Sequence, residues 1–278
     1  MTSQLEKARR FAALHAADGA FIIPNPWDIG SACLLAGLGF PALATTSAGF
    51  ARSIGKTDYH AGRSQVLGHA AALAASVDVP ISGDLENGFG DAPEDAAATI
   101  RLAAEAGLVG GSIEDSTGRL DAPQYEIAHA ADRVRAAVAA ARAQPFPFTL
   151  TARAENFFTG KRDLADTIAR LQAYQEAGAD VLFAPGLRTA EDIRSVASAV
   201  DRPLSVLLGP RGGGLSVREL AALGVKRISL GSVLASAASG ALLRAANEML
   251  TAGTFGFARD AASGRELDEL LARGAAQR

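Results

Sequence analysis

Acidic side chains and one arginine recur in short polar runs that each follow an apolar stretch. These runs are GDLENGFGD (83–91), SIEDSTG (112–118) and TARAENF (151–157), preceded by a run of small residues, TTSAGFARSIGKTD (45–58). Asp84 and Glu86 are two positions apart, and residues i and i+2 of an extended segment share a face, so both carboxylates point into one space. Glu114 and Asp115 are adjacent and face opposite ways, which leaves Asp115 a structural role. Arg153 and Glu155 are again two apart. Carboxylates that converge on one cavity repel unless a cation neutralises them, and oxygen-only donors select a hard ion, Mg²⁺ with Mn²⁺ as the alternative. Such an ion keeps several waters, so one or two of Asp84, Glu86 and Glu114 bind it directly and the rest act through water. Arg153 offers a bidentate fork to a carboxylate or phosphonate. The run Thr46, Ser47, Ala48 can present backbone N–H groups to the same anion. A lone acid at a strand end is as often a helix cap as a ligand. The coincidence of Asp84, Glu86, Glu114 and Arg153 at three consecutive strand ends is what argues for a site, with Asp58 on a loop standing between the two readings.

The elements that must hold these residues are legible as a repeating unit. Ala/Leu-rich helices end at a glycine and a short β-rich run follows, as in LLAGLGFPALATT (34–46), AEAGLVGGSIED (104–115), QEAGADVLFAP (175–185) and AALGVKRISLGS (221–232). Glycine just past a helix takes the left-handed conformation that closes it, which assigns that role to Gly37, Gly107 and Gly178. Their spacing of roughly 70 residues holds two βα units of about 35 each. The intermediate strands are PISGD (80–84), PFTLTAR (147–153) and PLSVLLG (203–209), and FIIPN (21–25) opens the series. Eight strands alternating with helices predict a (β/α)₈ barrel, whose active site lies at the strand C-termini. The barrel takes residues 1–257, including an N-terminal helix and a long apolar helix over 233–251. A polar tail, 258–278, ends in a short helix. The long helix is apolar enough to pack against another subunit. The loop GPRGGG (209–214) occupies the usual phosphate position of barrels, a weak signal on its own.

Composition narrows the field. Hydrophobic residues make up 49% and charged residues 21%, enough apolar surface for one large core. The net charge of −3 and the absence of a Lys/Arg run argue against nucleic acid. No apolar stretch reaches membrane-spanning length. A single cysteine, Cys33, excludes an intrachain disulfide and fits a reducing cytoplasm; it falls on a helix as a packing residue. The four histidines fall on predicted helices or helix starts, away from the strand ends.

With those motifs in order, the chain resembles the isocitrate lyase/phosphoenolpyruvate mutase superfamily over most of its length. GDLENGFG is similar to that superfamily's metal segment, SIEDS to its Ile-Glu-Asp segment, TARAEN to its arginine segment, and TTSAGFARSIGKTD to its anion-binding turn with a downstream aspartate. The resemblance implies Asp84 as the direct Mg²⁺ ligand, with Glu86 and Glu114 acting largely through water. It assigns Ser47, Ala48 and Arg153 to the substrate carboxylate, and Asp58 to the neighbourhood of the reacting centre. It also implies a last helix swapped between subunits of a homodimer or homotetramer. Two departures redirect the chemistry. The Lys/Cys catalytic loop of the isocitrate and methylisocitrate lyases is replaced by STGRLDAPQYE (116–126), and FAPG (183–186) has proline where the lyases have glutamate. The expected activity is therefore the shared step: Mg²⁺-dependent lyase or decarboxylase chemistry on a small 2-oxo or 2-hydroxy (di)carboxylic acid through an enolate. The alternatives are P–C bond mutase or hydrolase chemistry on phosphonopyruvate, and a barrel that binds 2-oxo acids without turnover.

Overall fold

The computed structural model describes residues 2–209 and 214–276, so most of the GPRGGG loop lies outside the described residues. Eight strands appear in the expected places: β1 Phe21–Ile23, β2 Leu43–Ala44, β3 Ile81–Asp84, β4 Gly110–Glu114, β5 Thr149–Arg153, β6 Val181–Phe183, β7 Leu204–Leu207 and β8 Val225–Ser229. All pair in parallel, in the order β1-β8-β7-β6-β5-β4-β3-β2. The seam between β1 and β2 is bridged by Ala44 N–H to the Pro24 carbonyl at 3.0 Å and by Asn25 Nδ2 to the Thr45 carbonyl at 3.0 Å. The barrel is nearly closed.

The helices are α1 Gln4–Ala16, α2 Ile29–Gly37, α3 Ser47–Ser53, α4 Arg63–Ser76, α5 Pro93–Glu105, α6 Ile127–Arg142, α7 Leu164–Glu176, α8 Ala190–Ser198, α9 Val217–Ala222, α10 Val233–Ala252 and α11 Gly264–Gly274. Several start on a Ser, Thr or Asp whose side chain accepts a first-turn N–H: Asp28 for α2, Thr46 for α3, Asp163 for α7 and Thr189 for α8. Such caps satisfy donors that the helix itself cannot. The α1 helix packs across the N-terminal ends of the strands. Its Phe11 is fully buried against Gly110, where a Cβ would lie 2.8 Å from the ring. Burying such a side chain contributes roughly 1.5–3 kcal/mol, and glycine at the strand start is what admits it.

Gly107 and Gly178 do take the left-handed conformation (φ 92° and 100°). Gly37 does not; it is the last residue of α2, and the left-handed turn comes two residues later at Gly39 (φ 96°). The reason lies in the tail. α11 packs across α2 so closely that a Cβ on Gly37 would lie 2.2 Å from the Leu270 carbonyl oxygen, and one on Gly274 would lie 1.8 Å from that of Cys33. Gly37 is there for close approach, not for a turn. In contrast, α10 leaves β8 with only Ala235 buried, and Leu242, Leu243 and Leu250 are 69%, 69% and 87% exposed. Among the described residues, no helix is long and apolar enough to cross a membrane.

The Gly274→Ala variant is expected to lose roughly 1–3 kcal/mol of stability, the usual cost of forcing a methyl into a filled contact. Chemical denaturation measures the loss, and faster proteolysis after residue 260 would show that α11 has undocked. Unchanged values on both counts would mean that the α2/α11 contact does not hold in solution.

Candidate functional site

Asp84 is the last residue of β3. Its Oδ2 accepts the Ser47 N–H at 2.9 Å, while its own N–H donates to Thr45 Oγ1 at 2.7 Å. These two bonds tie the loop after β2 to the end of β3. The Ser47 amide is thus committed to Asp84, and the small-residue run forms a capped helical turn (α3) beside the mouth. Asp84 Oδ1 is buried and has no hydrogen-bond partner; Arg153 Nη1 stands 3.6 Å away. On the next two strands Glu114 and Arg153 are register partners, and Nη1 lies 3.4 Å from Glu114 Oε2. Arg153 Nε is bonded to Glu155, and the guanidinium lies 5.2 Å from the Phe183 ring centroid. The fork is therefore already engaged by protein carboxylates.

Five acids crowd this one guanidinium: Asp58, Asp84, Glu86, Glu114 and Glu155. Burial raises Glu114 well above the usual carboxylate range despite Arg153 beside it. Glu86 is pushed up to about 8, by burial first and then by Asp84 and Asp58. Asp58 is raised by burial and by Asp84, and the Ser47 hydroxyl lies against it. Arg153 is held firmly protonated by Glu155, Glu114 and Asp84, against the cost of its burial.

Thr46, Ser47, Ala48, Asp58, Asp84, Arg153 and Glu155 line one cavity of about 620 Å³ at the strand C-termini. Glu86 does not share a strand with Asp84. β3 ends at Asp84, and Glu86 lies beyond it with φ 49°; the residue borders a neighbouring cavity of about 450 Å³ with His60, Asn87 and Phe89, while its charge still acts on Asp84 and Asp58. The turn is made by the loop itself: Phe89 (φ 61°) and Gly88 (φ 85°) are also left-handed, and Thr99 on α5 bonds the Gly88 carbonyl at 2.8 Å. Asp115 faces away from the mouth. It accepts the Glu155 N–H (2.8 Å), Tyr174 OH (2.5 Å), Arg170 Nη1 (3.1 Å) and Gln124 Nε2 (3.0 Å), and so clamps β4, β5, α7 and the 116–126 loop together.

Sequence reasoning passed over Tyr59 and set His60 aside with the other histidines. The Tyr59 hydroxyl donates to Glu114 Oε1 and lies 3.1 Å from Ser116 Oγ, and its ring borders both cavities. Burial and the Glu114 charge raise its pKa, so it keeps its proton. Its only signal was adjacency to Asp58. His60 belongs to the loop ahead of α4 rather than to a helix, with Nδ1 2.9 Å from Thr57 Oγ1. Glu155 was visible as a pair with Arg153, yet its grip on the arginine was not. Among the described residues, no three His, Cys, Asp or Glu side chains form a ready-made metal cage; the guanidinium stands between the carboxylates.

A nearly closed parallel barrel with its acids and an arginine gathered at the strand C-termini has the site layout of barrel enzymes. Within that class, the chain belongs to the phosphoenolpyruvate phosphomutase family of the isocitrate lyase/PEP mutase superfamily, whose model matches residues 11–250. It is similar to a solved Burkholderia cenocepacia protein assigned as a candidate lyase/mutase, at 59% identity over 97% of both chains with a TM-score of 0.95. It is 30% identical to the 2-methylisocitrate lyase of Bacillus subtilis over 73% of this chain and 67% of that one. It is 29% identical to an oxaloacetate decarboxylase of Rhodopseudomonas palustris over 72% and 68%.

The raised acid of Glu86 fixes the sign of a pH effect. Its folded pKa, near 8, lies above the ordinary carboxylate value, so the folded state holds a proton that the unfolded chain has released. Stability is thus lost as pH rises between about 4.5 and 8. In EDTA, Glu86→Gln is expected to flatten that decline and to be more stable than the parent at pH 8 by roughly 1–3 kcal/mol. Melting curves across pH measure it; parallel curves for the two proteins would refute it.

Proposed function

We propose that this chain is a Mg²⁺-dependent lyase or decarboxylase that breaks a bond to C3 of a small 2-oxo or 2-hydroxy (di)carboxylic acid, with oxaloacetate as the leading candidate. The observation that carries this reading is Asp84 Oδ1, a buried carboxylate oxygen with no hydrogen-bond partner among acids that outnumber their one guanidinium. That donor set fits a hard divalent ion. Asp84 would hold it directly, with Glu86 and Glu114 reached through water, since Mg²⁺ is commonly bound through one or two carboxylates and retains several waters. The chemistry such an ion supplies is Lewis-acid polarisation of the substrate's carboxylate and 2-oxo oxygens.

The chain's own residues account for the remaining tasks. Arg153 places fixed positive charge at the floor of the cavity, where a substrate carboxylate anchors and where charge moves as the bond to C3 breaks. Glu155 and Phe183 hold that guanidinium in place. Thr46, Ser47 and Ala48 form the wall beside it, and Asp58 stands next to the reacting end, oriented by the Ser47 hydroxyl. Tyr59 retains its phenolic proton and uses it to fix Glu114. The 116–126 loop turns Ser116, Gly118, Arg119, Leu120 and Pro123 toward the cavity, with no thiol or lysine to protonate a departing carbon fragment. Loss of CO₂ needs no such acid, only an electron sink, which is why decarboxylation suits this mouth. The relative named oxaloacetate decarboxylase supports the same choice. P–C bond chemistry on phosphonopyruvate is the second reading, favoured by the description of the family model and by Asp58 beside the reacting end.

Asp84→Asn is expected to lower turnover of oxaloacetate by at least about 100-fold, the scale of losing one electrostatic group at a reacting centre. EDTA should abolish the parent's turnover and Mg²⁺ or Mn²⁺ restore it. Comparing oxaloacetate with phosphonopyruvate by product NMR separates the two readings. Full metal-dependent turnover in Asp84→Asn would remove the basis for both.

The same reading carries an assembly. The exposed leucines of α10 form an apolar face of the kind that soluble monomers rarely leave open, and a second copy of the chain, exchanging this helix, covers it. Light scattering is expected to give a dimer or tetramer for the parent and a smaller species for Leu243→Glu. A parent that runs as a monomer at micromolar concentration would refute the exchange.

A further inference from the structure

One junction of the barrel lacks a strand ladder, and a single carboxamide spans it. β2 is two residues long and pairs with β3; among the described residues no ladder joins it to β1. Past the end of β1 the chain runs Pro24-Asn25-Pro26. Pro24 fixes its own φ, and Pro26 keeps Asn25 out of the helical region, so the Asn25 side chain leaves a stiff segment. The residue is buried. Its Nδ2 donates to the Thr45 carbonyl at 3.0 Å. Its Oδ1 accepts from the Leu230 N–H at 2.9 Å, the Gly231 N–H at 2.9 Å and Ser229 Oγ at 3.1 Å. Two backbone N–H groups at one end and a backbone carbonyl at the other fix which way the amide lies, and they require a group that accepts and donates at once.

Both sets of partners lead into the mouth. Gly231 and Ser232 line the same cavity of about 620 Å³ as Thr46 and Ser47. Thr45 in turn grips Asp84: its Oγ1 accepts the Asp84 N–H at 2.7 Å, and two residues on, the Ser47 N–H donates to Asp84 Oδ2 at 2.9 Å. Those two bonds leave Oδ1 as the oxygen without a partner. On the β3 side the loop is also tied by Thr45 N–H to the Ser82 carbonyl at 2.9 Å. On the β1 side the tether past the end of β2 is the Asn25 amide. A loop held from one side only would shift, and Asp84 would shift with it. We infer that Asn25 is a positioning residue: through Thr45 it holds the loop that aims Asp84 Oδ1, and through Leu230 and Gly231 it keeps the wall after β8 in register with that loop. The inference rests on the reading of Asp84 as the ligand of a divalent ion. Groups that orient a metal ligand without touching the ion commonly change metal affinity by about 10- to 100-fold.

The test is calorimetric titration with Mg²⁺, well below the melting point, of the full chain and four variants: Asn25→Ser, Thr45→Val, Thr45→Ser and the double variant Asn25→Ser/Thr45→Val. Serine at position 25 is too short to reach both sets of partners. Asn25→Ser and Thr45→Val are each expected to bind Mg²⁺ at least about 10-fold more weakly, and Thr45→Ser to stay close to the parent. The double variant should be little weaker than either single one, because both break the same chain of contacts. A brace with no bearing on the site would lower the melting point and leave the folded protein's affinity alone. Parental affinity in Asn25→Ser would therefore overturn the inference, as would losses that add in full in the double variant. If Asn25→Ser does not fold, Asn25→Asp takes its place, keeping the acceptor for β8 and setting an oxygen against the Thr45 carbonyl. Its added negative charge favours a cation, so weaker binding there supports the inference, and binding as tight as the parent's overturns it. A parent that binds no Mg²⁺ would remove the reading of Asp84 and this inference together, whereas a parent that binds it beside unchanged variants would remove this inference alone.

Discussion

The mouth of this barrel is organised by an excess of negative charge around a single guanidinium. Two like charges about 4 Å apart repel by on the order of 4 kcal/mol at the effective dielectric of a protein surface. Arg153 touches three of the five acids, and the remainder must be neutralised by protons, by water or by another cation. Each local feature answers to that constraint. The Ser47 amide holds one Asp84 oxygen and leaves the other free, Tyr59 lends its proton to Glu114, and burial with Asp84 and Asp58 favours the protonated form of Glu86.

Holding such a crowd still requires rigid support, and Asp115 supplies it. A buried carboxylate with four donors on it couples the two central strands to α7 and to the loop that walls the cavity. Breaking one partner of a buried network of this kind leaves an uncompensated charge, so its members constrain one another. Adjacent acids at the end of β4 thereby take different work: Glu114 meets Arg153 and Tyr59 at the mouth, and Asp115 braces the strands behind it.

The barrel's small residues serve approach rather than flexibility. Gly110 lets α1 seal the strand starts with Phe11, and Gly37 with Gly274 lets α11 cross α2 at backbone distance. The same closeness explains why Gly37, which has the sequence context of a helix-ending glycine, is not one. α10 is the counterexample, an apolar helix that this chain alone leaves uncovered.

The strands and the position of the candidate site were readable from the residue order, because a buried parallel strand followed by a polar turn writes itself as an apolar run and then a cluster of acids. The motifs around Asp84, Glu114 and Arg153 lie on contiguous strands, and local pattern sufficed to find them. Local pattern did not extend to the left-handed backbone at Glu86, which lies beyond the end of β3. Nor did it reach Tyr59 and His60, which come to the mouth on a loop with no periodicity of its own. The partners of Arg153 and the contact between Gly37 and Gly274 join positions separated by up to 237 residues. Alternation along a chain encodes which face a residue presents; distances between faces arise only when the sheet closes and charges meet across its axis.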